Sequence, residues 1–182
     1  MATIEQLIEQ ENWTAIRKTE EYKLLTKNRW MANWYKRDGG MDRYFQNEIR
    51  LPKSLQGVNY HSYGENFTDD VLNWIEETLS NKGFERKDLK NGRETTFRKK
   101  GHDIYYRVKT STIRNAWNYG GKQLCISSIQ TKMDRYKNRY GEWRTTKTLD
   151  YIYIEKDILG HQGMLFGDFY TKVERIQRLL AQ

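Results

Sequence analysis

The sequence predicts an α+β fold in which helices precede and follow an antiparallel sheet. Apolar residues recur at helical spacing before residue 83 and again near the end of the chain, whereas residues 93–156 alternate with a period of two. Short links containing glycine separate the alternating segments, and consecutive strands with short links pair antiparallel. We therefore expect N-terminal helices, a further helix, a four-stranded antiparallel sheet and a C-terminal helix packed on the sheet.

The beginning of the chain is predicted to form a helical segment of its own. Thr3 is a favourable N-cap for a first helix, and the basic residues before Gly39 are typical of a helix end. The adjoining glycine makes this point a plausible boundary. We expect residues 1–40 to form the helical segment and residues 41–182 to form the α+β domain.

Two further helices are indicated by capping patterns. Thr68 is followed by two aspartates, and Phe67 and Leu72 have the spacing of a hydrophobic staple, so a helix is predicted from Thr68 to Gly83. The last helix is predicted to begin near Asp168, which is a good N-cap.

The strands follow from alternation. The residues on both sides of Gly101 predict a hairpin with one apolar face and one basic face. A third strand is predicted from Lys122 to Lys132, and a fourth from Thr146 to Lys156.

Composition excludes several classes of protein. The chain has no run of about 18 apolar residues and no basic start followed by an apolar segment, so we expect a cytoplasmic protein without a membrane partner. The only cysteine, Cys125, excludes an internal disulfide and a cysteine-based zinc site. With three scattered histidines and no enzyme motif of known spacing, neither a metal nor another cofactor is expected.

Positive charge is concentrated in the predicted sheet. The chain has a net charge of +8, but residues 85–147 hold 17 Lys and Arg against 6 Asp and Glu, which gives +11. The remainder has 15 against 18, which gives −3. A focused positive field attracts polyanions, and phosphate backbones are the commonest of these.

Aromatic residues lie among these cations, most densely in residues 135–144, which are predicted to form a hairpin loop. Rings can stack on bases while Lys and Arg hold the phosphate backbone. The alternative is a basic sheet whose loop rings merely pack on its surface. The predicted nucleic-acid-binding residues, for RNA or DNA, are Arg98, Lys100, Arg107, Lys109, Trp117, Arg135, Lys137, Arg139, Tyr140, Trp143 and Arg144.

A second hypothesis is a metal-dependent nuclease. The order of elements resembles the PD-(D/E)xK nucleases, in which an acid opens the second strand and an acid or Gln precedes a Lys by two residues on the third. The matching residues are Glu77, Asp103, Gln130 and Lys132, and this alternative implies Mg²⁺. Asp103 follows a histidine instead of the family's proline, and Gln130 replaces the acid of the third strand. The competing interpretation is that Asp103 forms a turn and Lys132 is a solvated cation.

A third hypothesis is a module that binds only protein. Trp30, Trp34 and Tyr35 have helical spacing and could anchor a partner, although such residues more often pack in a core.

A small basic protein that is rich in Lys, Asn, Tyr and Ile and has no enzyme motif resembles products of phages and mobile elements. In size and character it is similar to the type II anti-CRISPR proteins, which inhibit Cas9. This resemblance implies binding to a Cas9–guide-RNA complex or its DNA path in a bacterial host cell. It implies no role for any individual residue. Because the chain is basic, contact with guide RNA or target DNA is expected instead of DNA mimicry.

Overall fold

The computed structural model describes residues 2–27, 40–57, 67–89, 92–114, 120–157 and 166–182. The chain divides into two compact units, Met1–Val58 and Asn59–Gln182. This boundary falls later than the one predicted after residue 40. The reason is that the helix Gly40–Glu48 bonds to the helices that precede it, through Asp42.

The first unit is a set of short helices. Thr3 caps the first one as predicted, because its hydroxyl accepts a hydrogen bond from the backbone of Gln6 at 3.3 Å, and the Gln6 side chain accepts one from the Thr3 backbone at 2.9 Å. The helices are α1 (Ile4–Glu9), α2 (Trp13–Ile16), α3 (Glu20–Leu25) and α4 (Gly40–Glu48), followed by a 3₁₀ turn at Lys53–Leu55.

The core of the first unit combines rings with one buried carboxylate. Tyr44 and Phe45 of α4 are buried, and the ring centroids of Phe45 and Tyr22 lie 5.0 Å apart. Glu48 is fully buried, and its carboxylate accepts a hydrogen bond from the backbone N–H of Gly57 at 2.8 Å. A buried carboxyl group needs such partners, since burial without hydrogen bonds is costly.

The second unit contains two long helices, α5 (Phe67–Asn81) and α6 (Phe166–Leu180). Gly83 ends the α5 segment as predicted, with a positive φ of 82° that suits glycine. The helices begin at Phe67 and Phe166, within two residues of the starts predicted at Thr68 and near Asp168, which is the usual spread of helix ends. No helix in the described parts of the chain is long and apolar enough to cross a membrane.

The sheet has five antiparallel strands in sequential order, not the four predicted. The missed strand pairs along one edge, and all four of its residues are exposed, so no apolar alternation marks it in the sequence. The strands are β1 (Glu85–Asp88), β2 (Glu94–Arg98), β3 (Ile104–Arg114), β4 (Gly120–Lys137) and β5 (Trp143–Asp157).

The core of the second unit lies between one face of the sheet and its helices. Tyr106 shows the packing directly, since its buried hydroxyl donates to the carbonyl of Leu179 in α6 at 3.2 Å. The prediction that the C-terminal helix packs on an antiparallel sheet is therefore confirmed. The most deeply buried apolar side chains, each at most 2% exposed, are Val71, Ile75, Leu79, Phe97, Tyr106, Val108, Leu124, Ile126, Ile152, Ile154, Phe169, Val173, Ile176, Leu179 and Leu180.

Candidate nucleic-acid interface

The β4–β5 hairpin extends well beyond the rest of the sheet. The pairing of β3 with β4 ends where Ile104 lies opposite Gln130, whereas β4 and β5 remain paired as far as Lys137 and Trp143. Residues 131–147 therefore form a two-stranded ribbon, and none of these residues is buried.

The ribbon replaces the long loop predicted at residues 135–144. Only Asn138–Glu142 connect the two strands, and Arg135, Lys137, Trp143 and Arg144 lie within strands. The sequence does not show these strands by alternation. Both faces of the ribbon are exposed to solvent, so apolar and polar residues do not alternate along it.

Asn138 organises the tip of the ribbon. Its side-chain oxygen accepts hydrogen bonds from the backbone N–H groups of Tyr140 and Glu142, each at 3.0 Å. Gly141 adopts a positive φ of 77°, which closes the turn. Glu142 is ion-paired with Arg144, and hydrogen bonds from Arg144 and Asn138 hold the pKa of the Glu142 carboxyl below its ordinary value.

A bulge separates the tip from the sheet. The register shifts between Thr131 and Tyr136, so residues 132–135 of β4 lie opposite Thr145 alone on β5. Bulges bend a strand, increase its local twist and redirect its side chains.

One side of the ribbon presents an aromatic ring beside two cations. Trp143 is 54% exposed, and its ring centroid lies 5.2 Å from Lys137 Nζ and 5.9 Å from Arg135 Cζ. Close by, Arg139 Cζ lies 4.7 Å from the ring centroid of Tyr140, which is 71% exposed. Cation–π contacts at exposed sites contribute about 0.5–1 kcal/mol each, which is enough to bias the side-chain positions.

Tyr136 belongs to the opposite side, because it is paired with Arg144 and successive strand residues alternate between faces. Its hydroxyl donates to the Thr146 carbonyl at 2.6 Å, and Lys132 Nζ lies 4.8 Å from its ring centroid. The Tyr136 side chain therefore stabilises the pairing of β4 with β5 in the ribbon.

Cations outnumber acids in the ribbon by six to two. Within the described residues, no ion pair neutralises Arg135, Lys137 or Arg139. The six cations are Lys132, Arg135, Lys137, Arg139, Arg144 and Lys147, and the two acids are Asp134 and Glu142. Lys132 and Lys147 are not among the residues predicted to bind nucleic acid. Their positions in the sequence, just outside the cationic and aromatic residues 135–144, could have identified them.

The predicted cations of the sheet lie in different surroundings. Arg98 is exposed, and its guanidinium stacks 3.7 Å from the ring centroid of Tyr105. Lys100 is also exposed, in the turn between β2 and β3.

The other two sheet cations are less available. Lys109 forms a 2.6 Å ion pair with Glu94. Arg107 is half-buried, and its Nε is buried without a hydrogen-bond partner. The basic face predicted for the β2–β3 hairpin is therefore partly neutralised by Glu94. The ribbon of residues 131–147 is the more strongly positive surface.

Three of the four residues of the nuclease hypothesis lie near one another along the backbone, but the register puts Asp103 opposite Thr131, whereas Gln130 and Lys132 point to the other face of β4. Asp103 directly precedes β3, and its carbonyl accepts a hydrogen bond at 2.8 Å from Thr131, which lies between Gln130 and Lys132. Asp103 is exposed, and Gln130 and Lys132 are half-buried.

Glu77 is not grouped with them in the described part of the chain. Its side chain is exposed on α5, and the neighbouring Glu76 forms a 2.7 Å ion pair with Arg86 of β1. β2 and β3 separate β1 from β4. Among the described residues, no group of three or more His, Cys, Asp or Glu side chains could hold a metal ion.

The aromatic residues Trp30, Trp34, Tyr35 and Trp117 lie outside the described residues. Comparison of the chain with protein-family models, with curated proteins and with solved structures found no match.

Proposed function

We propose that this protein binds nucleic acid through the ribbon of residues 131–147. The observation that carries the proposal is the ribbon's charge, six cations against two acids on a protruding hairpin with no buried residue. A projecting cationic element can approach a phosphate backbone without obstruction from the rest of the fold, and its field steers polyanions toward it.

The proposed biological role follows the similarity in character to anti-CRISPR proteins. The ribbon would contact guide RNA or target DNA within a nucleoprotein effector such as Cas9, and this contact would inhibit cleavage in the cytoplasm of a bacterial host. A basic surface supports contact with the nucleic acid of such a complex.

The binding proposal is tested by fluorescence anisotropy with labelled RNA and DNA over a range of salt concentrations. The variant Arg135→Glu/Lys137→Glu/Arg139→Glu reverses three of the ribbon cations that have no ion pair within the described residues, whereas Arg144 is paired with Glu142. We expect it to bind far more weakly and to reduce the slope of log Kd against log salt by about three, one for each lost phosphate contact.

The control is Lys18→Glu/Arg50→Glu/Lys53→Glu, which reverses three exposed cations of the first unit and gives the same net charge. It should bind almost as tightly as the wild type if the ribbon is the interface. Equal losses in the two triple variants would show that only total charge matters and would refute the proposal.

The inhibitory role is tested separately, by adding the protein to a Cas9–guide-RNA cleavage reaction. Slower cleavage with the wild type but not with the ribbon variant would support it. Undiminished cleavage at saturating protein would exclude Cas9 as the target.

A further inference from the structure

We infer that the ribbon binds in the major groove of double-stranded B-form DNA. This rests on the proposed function and names its substrate class. The ribbon's dimensions, the state of its rings and the position of its cations support the assignment.

The ribbon has the size of an element that enters this groove. Antiparallel strands lie about 4.8 Å apart, and a groove about 12 Å wide accommodates two strands with their side chains. Along β5, the three residue-to-residue steps from Thr146 to Trp143 cover about 10 Å. The ribbon is therefore longer than the major groove is deep, which is about 8.5 Å, even without its loop.

Tyr140 is 71% exposed and Trp143 is 54% exposed, and each ring of the ribbon lies beside a cation. Here Tyr136, Tyr140 and Trp143 each have a cationic group within 6 Å of the ring centroid. In addition, the hydroxyl of Tyr136 is bonded to backbone. The rings therefore orient cations, which suits contacts with phosphates and base edges.

The cations are distributed as a groove-binding ribbon requires. Arg139 lies in the tip loop, where a guanidinium can reach the acceptors of guanine at the groove floor. Lys132 and Lys147 lie at the base of the ribbon. With the tip inserted into the groove, this base would lie beside the phosphates that line the groove. Arg135 and Lys137 lie between these levels, beside Trp143.

A-form RNA does not fit the same element. Its major groove is deep and too narrow for side chains to read, and double-stranded RNA is bound mostly across the shallow minor groove. Affinity should therefore depend on duplex form as well as on charge.

The first test compares affinities at one salt concentration for duplex DNA, duplex RNA of matching sequence and each single strand. We expect duplex DNA to bind at least about tenfold more tightly than the others. Equal or tighter binding of any other form, abolished by Arg135→Glu/Lys137→Glu/Arg139→Glu, would overturn this inference and leave the proposed function intact. Absence of binding to every form at low salt would overturn both.

The second test locates the groove. Dimethyl sulfate methylates guanine N7 in the major groove and adenine N3 in the minor groove. Bound protein should protect guanine N7 and leave adenine N3 reactive, and the triple variant should give no protection. Protection of adenine N3 alone would place the protein in the minor groove and refute the inference.

Discussion

The hydroxyl of Tyr22 donates a hydrogen bond to the carboxylate of Asp42 at 2.9 Å and so joins α3 to α4. Arg17 donates to the same carboxylate oxygen through its Nε at 3.1 Å. The hydrogen bond from Arg17, assisted by the one from Tyr22, lowers the pKa of Asp42 below its ordinary value of 3.8. Asp42 thus links three segments of the first unit.

This cluster predicts acid sensitivity in the first unit. Because the folded pKa of Asp42 is depressed, its ionised form stabilises the fold fully above pH 3.8, and this stabilisation is lost as the pH falls through the folded value. We expect hydrogen exchange of the α3 and α4 amides to accelerate, relative to the intrinsic rates, as the pH falls below about 3.8. Asp42→Asn should be less stable at neutral pH and should lack this component. The same acceleration in Asp42→Asn would contradict the assignment to Asp42.

The ribbon tip should depend on the side-chain oxygen of Asn138. Asn138→Ala removes the acceptor for two backbone N–H groups, so the local opening free energy of the tip should fall by about 1 kcal/mol. The measurement is hydrogen exchange at Tyr140 and Glu142, with Asn138→Ser as the comparison because it keeps a side-chain acceptor oxygen without adding a charge beside Glu142. Undiminished protection of these amides in Asn138→Ala would show that the turn closes without this residue.

The core and the ribbon should respond differently to truncation. Phe97 has no exposed surface and lies opposite Tyr106, so Phe97→Ala should lower the free energy of unfolding by about 3–5 kcal/mol through lost burial and a cavity. Met133 is fully exposed in the ribbon, and Met133→Ala should change stability by less than about 0.5 kcal/mol. Urea denaturation measures both. A large loss in Met133→Ala would mean that the ribbon packs against the core.

Regions with one buried side were predictable. α5 and the β2–β3 hairpin each place their most deeply buried apolar residues on one face, so their periodicity was visible. β1 and the outer part of the ribbon were missed because no residue of either is buried, and alternation disappears without burial. The predicted starts of α5 and α6 agreed with the structure to within two residues, because acidic and hydroxyl residues at those positions are typical of helix beginnings.

The candidate site was predictable in composition but not in shape. The density of Lys, Arg and rings around Arg135–Arg144 identified the segment, whereas its strands depend on pairing between β4 and β5. Local sequence also gave no sign that Glu94 would neutralise Lys109, because that ion pair joins neighbouring strands. Long-range pairing decided which cations stayed available.

The bulge at residues 132–135 has a consequence for how this sequence can change over generations. Beyond this bulge no side chain is buried, so side chains there contribute little to the stability of the fold. Substitutions in the tip should therefore leave the sheet folded even where they change binding. This segment can therefore accumulate substitutions that Phe97 and Tyr106, which are buried in the core, cannot.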